Sequence, residues 1–268
     1  MDLELVGKRA IVTGGSKGIG LAIAKALSAG GAHVALVARG AEALAAAKEA
    51  VEIAGGVAGG RVITVSCDTG DDHAVGHMAA DVAAAFGGVD ILVNAAAQPN
   101  SGAVVGIADF DEAEFTEQVN VKVLGYLRCI RAVAPSMKAN GWGRIVNISG
   151  LAARSSGAIT GTVRNVAVAA VTKNLADELG HHGINVTVVH PGFTVTERTP
   201  GMLAQRAERA GISVADVEKQ LAAGISIGRP VTAGEVADVV AFLSSPKSVA
   251  INGDAISVGG GAVGPVFY

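Results

Sequence analysis

Short apolar runs, rich in β-branched residues, alternate with longer Ala-rich stretches in which apolar positions recur at helical spacing. RAIVT (Arg9–Thr13), HVALVA (His33–Ala38), RVITVS (Arg61–Ser66), DILVN (Asp90–Asn94), GRIVNIS (Gly143–Ser149), GINVTVV (Gly183–Val189) and AISV (Ala255–Val258) read as strands. Most are apolar at nearly every position, the pattern of strands covered on both faces. Leu21–Ala29, Ala41–Ala54, Thr116–Lys138, Val166–Leu179 and Ala233–Leu243 read as helices. The alternation predicts right-handed crossovers and an α/β fold, a doubly wound parallel sheet of about seven strands with helices on both faces. Neither a repeat nor a low-complexity linker divides the chain, so a single domain is expected over 1–268. Phe193–Ile227 alone breaks the rhythm, being polar and Arg-rich. An insertion beyond the carboxyl end of a strand is well placed to cover a ligand crevice, so 193–227 is expected to be a substrate-covering lid.

Composition narrows the class. Half of the 268 residues are hydrophobic but only 3% are aromatic, so Ala, Val, Ile and Leu must build the interior. Charged residues make up 17%. This is below the roughly 25% of soluble domains, as expected if part of the surface is covered in a homo-oligomer, a dimer or tetramer. Twenty-one basic residues against 24 acidic give a net charge of −3, without a basic block. Phosphate neutralisation therefore offers no driving force for nucleic-acid binding. Cys67 and Cys129 cannot form a disulfide framework and suit a reducing compartment. The start carries acids at positions 2 and 4 and lacks a signal peptide's layout. The longest uncharged run, Ile91–Ala108, is interrupted by Asn94, Gln98, Pro99 and Asn100 and is no membrane span. A cytoplasmic protein with neither membrane nor nucleic-acid partner is expected.

The first strand runs directly into Thr13-Gly14-Gly15-Ser16-Lys17-Gly18-Ile19-Gly20 and then a helix. Glycines let the backbone turn tightly and approach a pyrophosphate, while the helix N-terminus offers free N–H groups and partial positive charge. The spacing is Gly-x-x-x-Gly-x-Gly, and with it the sequence resembles the short-chain dehydrogenase/reductase family. The resemblance spans nearly the whole chain: Thr13–Gly20, Asp68, Asn94-Ala95-Ala96-Ala97, Asn120, Pro191-Gly192 with Thr196, Gly228-Arg229-Pro230, Glu235-Val236-Ala237, and the glycines Gly253, Gly260 and Gly261. It implies a Rossmann-like fold and a nicotinamide cofactor. Contacts are implied from Gly14, Ser16, Lys17, Gly18, Ile19, Gly20, Arg39, Asp68, Thr69, Asn94, Ala95, Ala96, Pro191, Gly192, Thr194 and Thr196.

Charge argues the choice of cofactor. A carboxylate after the second strand binds the ribose 2′-hydroxyl of NAD and would repel a 2′-phosphate. Here Ala38 is followed by Arg39, with Lys17 in the glycine loop. Two cations and no acid favour NADP(H) over NAD(H).

At the catalytic end the family pattern fails. The family moves a hydride between nicotinamide and a carbonyl or alcohol. A Tyr serves as general acid/base, a Lys four residues on lowers its pKa, a Ser orients the substrate oxygen, and an Asn completes a proton relay. Anchored on Val171–Leu179, the Tyr column holds Gly161 and the Lys column Asn165. The Ser column holds Gly150, with Ser149 one residue early, and Asn120 reads as the one member retained. Realignment offers no rescue: the only tyrosines are Tyr126 and Tyr268, and neither begins a Tyr-x-x-x-Lys. Loss of one general acid/base costs about 10²–10⁴ in rate, roughly 3–5 kcal/mol of barrier.

Ser149 and Arg164 are the candidates left to line the pocket. Arg164 can polarise a carbonyl or hold an anion but cannot shuttle protons. Arg198, Arg206 and Arg209 are further cations of the expected lid. His73 and His77, i and i+4 beside Asp71 and Asp72, read as a solvated helix start, so no metal site is expected. His190 precedes Pro191 at the cleft edge, open to either a titrating or a structural role. Tyr126 is expected in the core or at a helix–helix contact.

The sequence thus predicts an NADP(H)-binding oxidoreductase of short-chain dehydrogenase/reductase type, with a degenerate site and atypical or weak carbonyl/alcohol redox activity. Its rivals are a non-catalytic NADP(H) sensor or interaction subunit, and a non-redox lyase or isomerase on the same fold.

Overall fold

The structure is a computed structural model and describes residues 1–98 and 106–263. Strands β1 (Arg9–Thr13), β2 (His33–Ala38), β3 (Val62–Ser66), β4 (Ile91–Asn94), β5 (Gly143–Ile148) and β6 (Ile184–Pro191) follow the predicted runs within a residue or two. Two strands of two residues each, β7 (Thr194–Val195) and β8 (Val231–Thr232), pair with one another, and β9 (Ala255–Val258) ends the series. Among the described residues the main sheet has seven strands in the order β3-β2-β1-β4-β5-β6-β9, with every pairing parallel. The order reverses between β1 and β4, where the carboxyl ends of neighbouring strands diverge and leave a crevice.

The helices are α1 (Gly18–Ala29), α2 (Ala41–Gly55), α3 (Asp72–Phe86), α4 (Glu112–Val119), α5 (Gly125–Asn140), α6 (Ile159–Leu179), α7 (Thr199–Ala210), α8 (Val214–Ala223) and α9 (Ala233–Leu243). They cover both faces of the sheet, which is why its strands are apolar throughout. In β1, Ala10 and Val12 join the core under α1, α2 and α9, whereas Ile11 joins the core under α3, α5 and α6. Strand β2 divides likewise, Val34 and Leu36 to one side, Ala35 and Val37 to the other. A fully buried aliphatic side chain contributes roughly 1.5–3 kcal/mol, so neither face can turn polar cheaply.

The largest departure from the sequence reading lies within Thr116–Lys138, expected as one helix. The chain forms α4, then a wide turn at Asn120–Leu124, then α5. In that turn the Gly125 N–H donates to the Asn120 carbonyl five residues back, the hydrogen bond of a π-helix. Such a turn takes in an extra residue and changes which side chains face inward. Periodicity alone gave no sign of it, because Val121, Lys122 and Val123 are all buried. Gly125 is needed where α5 meets the loop after β3, since a Cβ there would lie 3.0 Å from the Thr69 carbonyl oxygen.

The segment 193–227 is built of structure rather than open loop. Helices α7 and α8 pack through Leu203, Ala207 and Val217 into a small core of their own, flanked by Phe193, Ile212 and Leu221. Ser213 and Asp216 form a reciprocal cap at the start of α8. No helix among the described residues is long and apolar enough to cross a membrane.

Candidate functional site

The crevice at the β1/β4 reversal is a cleft of about 560 Å³. Its floor is the turn from β1 into α1. Gly14 has φ +67° there, and a Cβ would sit 2.8 Å from the Ala95 carbonyl oxygen, so only glycine lets the two loops close on one another. The Thr13 hydroxyl accepts hydrogen bonds from the backbone N–H groups of Ala95 and Ala96, at 3.1 and 3.2 Å, fixing the loop after β4 against the glycine turn. Below this loop the Asn94 amide donates to Asn147 Oδ1 at 2.9 Å, and Asn147 donates to Thr172 Oγ1 at 2.9 Å. Asn94, fully buried, therefore braces the cleft from behind and ties β4 to β5 and α6.

The N-terminus of α1 opens into the cleft. Its cap residue Lys17 makes no side-chain cap, and the Gly18 N–H donates instead to the Glu197 carboxylate at 3.2 Å. An anion already rests where a helix N-terminus attracts one. One rim brings together Lys17, Ala38 and Arg39, with Asp68 and Thr69 beside them. Asp68 accepts from the Gly70 N–H at 2.9 Å, which shapes the turn after β3. The glycine turn, the open helix end and the cationic rim fit a dinucleotide lying across the switch point. Gly14, Ser16, Lys17, Gly18, Ile19, Gly20, Arg39, Asp68, Thr69, Ala95, Ala96 and Thr196 all line the cleft. Pro191, Gly192 and Thr194 are not among the lining residues. Gly192 packs on Gly259, and the Thr194 hydroxyl donates to the Gly192 carbonyl.

The far end of the cleft is lined by Ser149, Ile148, Gln98 and Lys122. Asn120 does not line it. The Asn120 side chain accepts from Arg128 at 2.9 Å and donates weakly to the Gly70 carbonyl at 3.5 Å. The wide turn after α4 points Asn120 at α5 and the loop after β3, and carries Lys122 inward in its place. The Asn120 side chain, expected to serve a proton relay, is engaged with Arg128 in this structure. The residue that does face the site lies two positions on and escaped a reading based on the family's asparagine.

Lys122 is 4% exposed. Its Nζ donates to Asn165 Oδ1 at 2.8 Å and to the Ser149 carbonyl at 3.1 Å. Burial, and then the positive charge of Arg164, push its ammonium down to about 7. Ser149 Oγ donates to the Asn165 backbone carbonyl at 3.0 Å, which holds that hydroxyl against α6. Gly161 and Asn165 are both buried on α6, one turn apart. Arg164, also on α6, donates through Nη1 to the Gln98 carbonyl at 3.2 Å, while its buried Nε has no partner among the described residues.

Other candidates resolve into structure. Tyr126 is buried and donates to the Ile148 carbonyl at 2.9 Å, and burial drives its phenol pKa far up. His190 is buried on β6 and held down to about 4 by burial and by the Arg154 and Lys122 charges, so it stays neutral near pH 7. Arg206 lies over the Phe193 ring, and only Arg198 of the three arginines named in 193–227 reaches the cleft. Asp71 caps α3 by accepting from the His73 and Ala74 N–H groups. Cys67 lines the cleft as a thiol whose pKa burial raises to about 11. Tyr268 lies outside the described residues.

Taken together, a doubly wound sheet with a glycine turn at its switch point and a cleft running from a cationic rim to a polar end defines a nucleotide-binding oxidoreductase fold. A family model described as enoyl-(acyl carrier protein) reductase matches residues 14–263. The chain belongs to the short-chain dehydrogenase/reductase family and is an oxidoreductase of that family. It is 35% identical over 253 residues to the short-chain reductase protein NovJ of Streptomyces niveus, covering 94% of this chain and 92% of that one. It is 30% identical over 258 residues to the NADPH-dependent reductase BacG of Bacillus subtilis, covering 96% and 98%. Among solved structures, L-sorbose reductase from Gluconobacter frateurii, complexed with NADPH and L-sorbose, superposes with a TM-score of 0.90. That match has 29% identity and covers 99% of this chain and 100% of the other. NAD+-bound xylitol dehydrogenase superposes at 0.87 with 26% identity, covering 96% and 100%.

Proposed function

We propose that this protein is an NADP(H)-dependent oxidoreductase acting on a carbonyl/alcohol pair through a site that lacks the family's Tyr and Lys. The observation that carries the cofactor choice is the rim where Lys17 and Arg39 flank one cleft and Ala38 stands in place of an acid. The NADPH complexes among similar structures support the same choice, although an NAD+-bound relative shares the fold. Lys17, Arg39 and the N-terminus of α1 would hold the phosphates, Asp68 the adenine end, and Thr196 with the 191–194 segment the nicotinamide end. When bound, the nicotinamide supplies or accepts two electrons together with one hydrogen. The chain must then exclude water, orient the substrate oxygen and carry one proton, with Gly161 and Asn165 in place of the usual pair. The helices of 193–227 would cover the substrate, with Arg198 at the cleft. A surface groove of about 700 Å³ between α5 and α6, lined by Leu124, Leu127, Ala134, Pro135 and Leu175, would join copies of the chain.

Calorimetric titration with NADPH and NADH tests the core of this reading. NADPH is expected to bind at least tenfold more tightly, and Lys17→Ala with Arg39→Ala to abolish the preference. Equal affinities in the unaltered protein would overturn the cofactor assignment, and no binding of either would remove the oxidoreductase reading with it.

A further inference from the structure

We infer that Lys122 is the proton-carrying group of this active site, reaching from the wide turn after α4 to the place the family serves from α6. The inference rests on the oxidoreductase reading above and adds to it the residue that completes the chemistry.

The geometry is unusual for a lysine. Its side chain is buried at the polar end of the cleft, and no carboxylate pairs with it among the described residues. Lysine is almost never fully buried without a pairing acid, because desolvating an ammonium is expensive. Here its partners are two neutral oxygens, Asn165 Oδ1 and the Ser149 carbonyl. Two acceptors hold two of the ammonium's three N–H bonds, and neither is charged, while Lys122 is among the residues that line the cleft.

No acid pairs with it directly among the described residues, while the Glu114 carboxylate of α4 acts on its neighbour Arg164. Asn165 and Arg164 face it from α6, Ser149 from the end of β5 and neutral His190 from β6. The Arg164 guanidinium, held on the Gln98 carbonyl with a buried Nε left over, adds positive charge on the same side. This is the environment in which a lysine exchanges protons near neutrality, by desolvation and a cationic neighbour rather than by an adjacent acid. Asn165 thereby gains a defined role. Standing where the family carries its lysine, it accepts from a lysine on the opposite wall and fixes the direction of Nζ.

In the reducing direction one Nζ–H bond breaks as an O–H bond forms on the substrate oxygen. The carbonyl carbon meanwhile takes up the hydrogen and two electrons that the nicotinamide supplies. The carbonyl π pair becomes the new O–H bond, Lys122 is left as the neutral amine, and water returns its proton. Oxidation of an alcohol runs the same transfers backwards, with the amine as base.

Two measurements test this, and NADPH binding by calorimetry separates their failure from failure of the oxidoreductase reading. The first is NMR of protein carrying 13Cε-lysine, with the Lys122 resonance identified by its loss in Lys122→Gln. It is expected to titrate with a midpoint between about pH 6 and 8 and to move on saturation with NADP+. A midpoint above about 9.5, or a resonance indifferent to NADP+, would overturn the proposal even in a protein that binds NADPH well. The second follows NADPH oxidation with 4-nitrobenzaldehyde and 9,10-phenanthrenequinone in unaltered protein, Lys122→Met and Lys122→Gln. Turnover should fall at least about 100-fold in both variants, in kcat rather than in KM for NADPH, with the limb of the pH profile near neutrality lost. A loss confined to KM would make Lys122 a binding residue only. Turnover within tenfold of the unaltered protein, or inertness of a protein that binds NADPH toward both probes, would also count against it.

Discussion

At the scale of single residues, the site turns on where a positive charge is allowed to sit. That no Tyr-x-x-x-Lys occurs is a matter of counting in the sequence, and Lys17, Arg39 and Asp68 were legible as cleft residues because they follow strand ends. Lys122 was not, since a lysine within a helical stretch ordinarily reads as a solvated side chain. Nothing in the string of letters says that Val121, Lys122 and Val123 are all enclosed. Its burial has a thermodynamic signature separate from any activity. A lysine in the unfolded chain titrates near 10.4, whereas the folded one is held at about 7. Between these values the unfolded chain binds a proton that the folded protein does not, so raising the pH favours the fold. Below pH 7 both states are protonated and the dependence vanishes. Relative to Lys122→Met, the unaltered protein should therefore gain stability with pH between about 7 and 10, by up to about 1.4 kcal/mol per unit. Urea melts of both proteins at pH 6, 7, 8 and 9 would show it. Parallel curves throughout would mean that the side chain keeps an ordinary pKa.

At the scale of elements, strands were read from the sequence almost to the residue because burial on both faces leaves an unbroken apolar run. Helix limits were less legible. The start of α6 lies well before Val166, at Ile159, and the expected helix over Thr116–Lys138 hides the wide turn. The helical pair within 193–227 was also missed, since its apolar stripe, Leu203, Ala207 and Val217, is short and set among charges. That segment supplies Glu197, whose carboxylate sits on the Gly18 N–H at the head of α1. A phosphate bound there would have to displace it and then tolerate its charge. Glu197→Gln is expected to tighten NADPH binding by about two- to fivefold, the worth of a charge at a helix terminus, and more so at low salt. Weaker binding in calorimetry would instead make Glu197 a contact that the cofactor needs.

At the scale of the whole molecule, one sheet carries two separate surfaces. The cleft lies at the carboxyl ends of the strands. The groove of Leu124, Leu127, Ala134, Pro135 and Leu175 lies on the outer side of α5 and α6. The modest share of charged residues in the sequence pointed toward a covered surface without locating it, because composition has no direction. In a closed symmetric dimer each altered residue acts twice, so Leu127→Glu is expected to yield monomers in light scattering while leaving the thermal transition of the monomer cooperative. An unchanged mass would put the contact elsewhere. Trp142 belongs to the opposite end of the sheet, just before β5, between the Lys8 ammonium and the Arg144 guanidinium. Its emission reports on that edge rather than on ligands in the cleft.

The loosened winding at Asn120–Leu124 sets the phase of everything that follows it. In a regular coil each residue is turned by about 100° from the last, so a single added residue redirects the register of an entire face. Shortening that coil by one position would swing the amine away from Asn165 and leave an amide oxygen facing an unfilled gap. The pairing of Lys122 with Asn165 is therefore encoded less by the two residues themselves than by the length of the coil between α4 and α5.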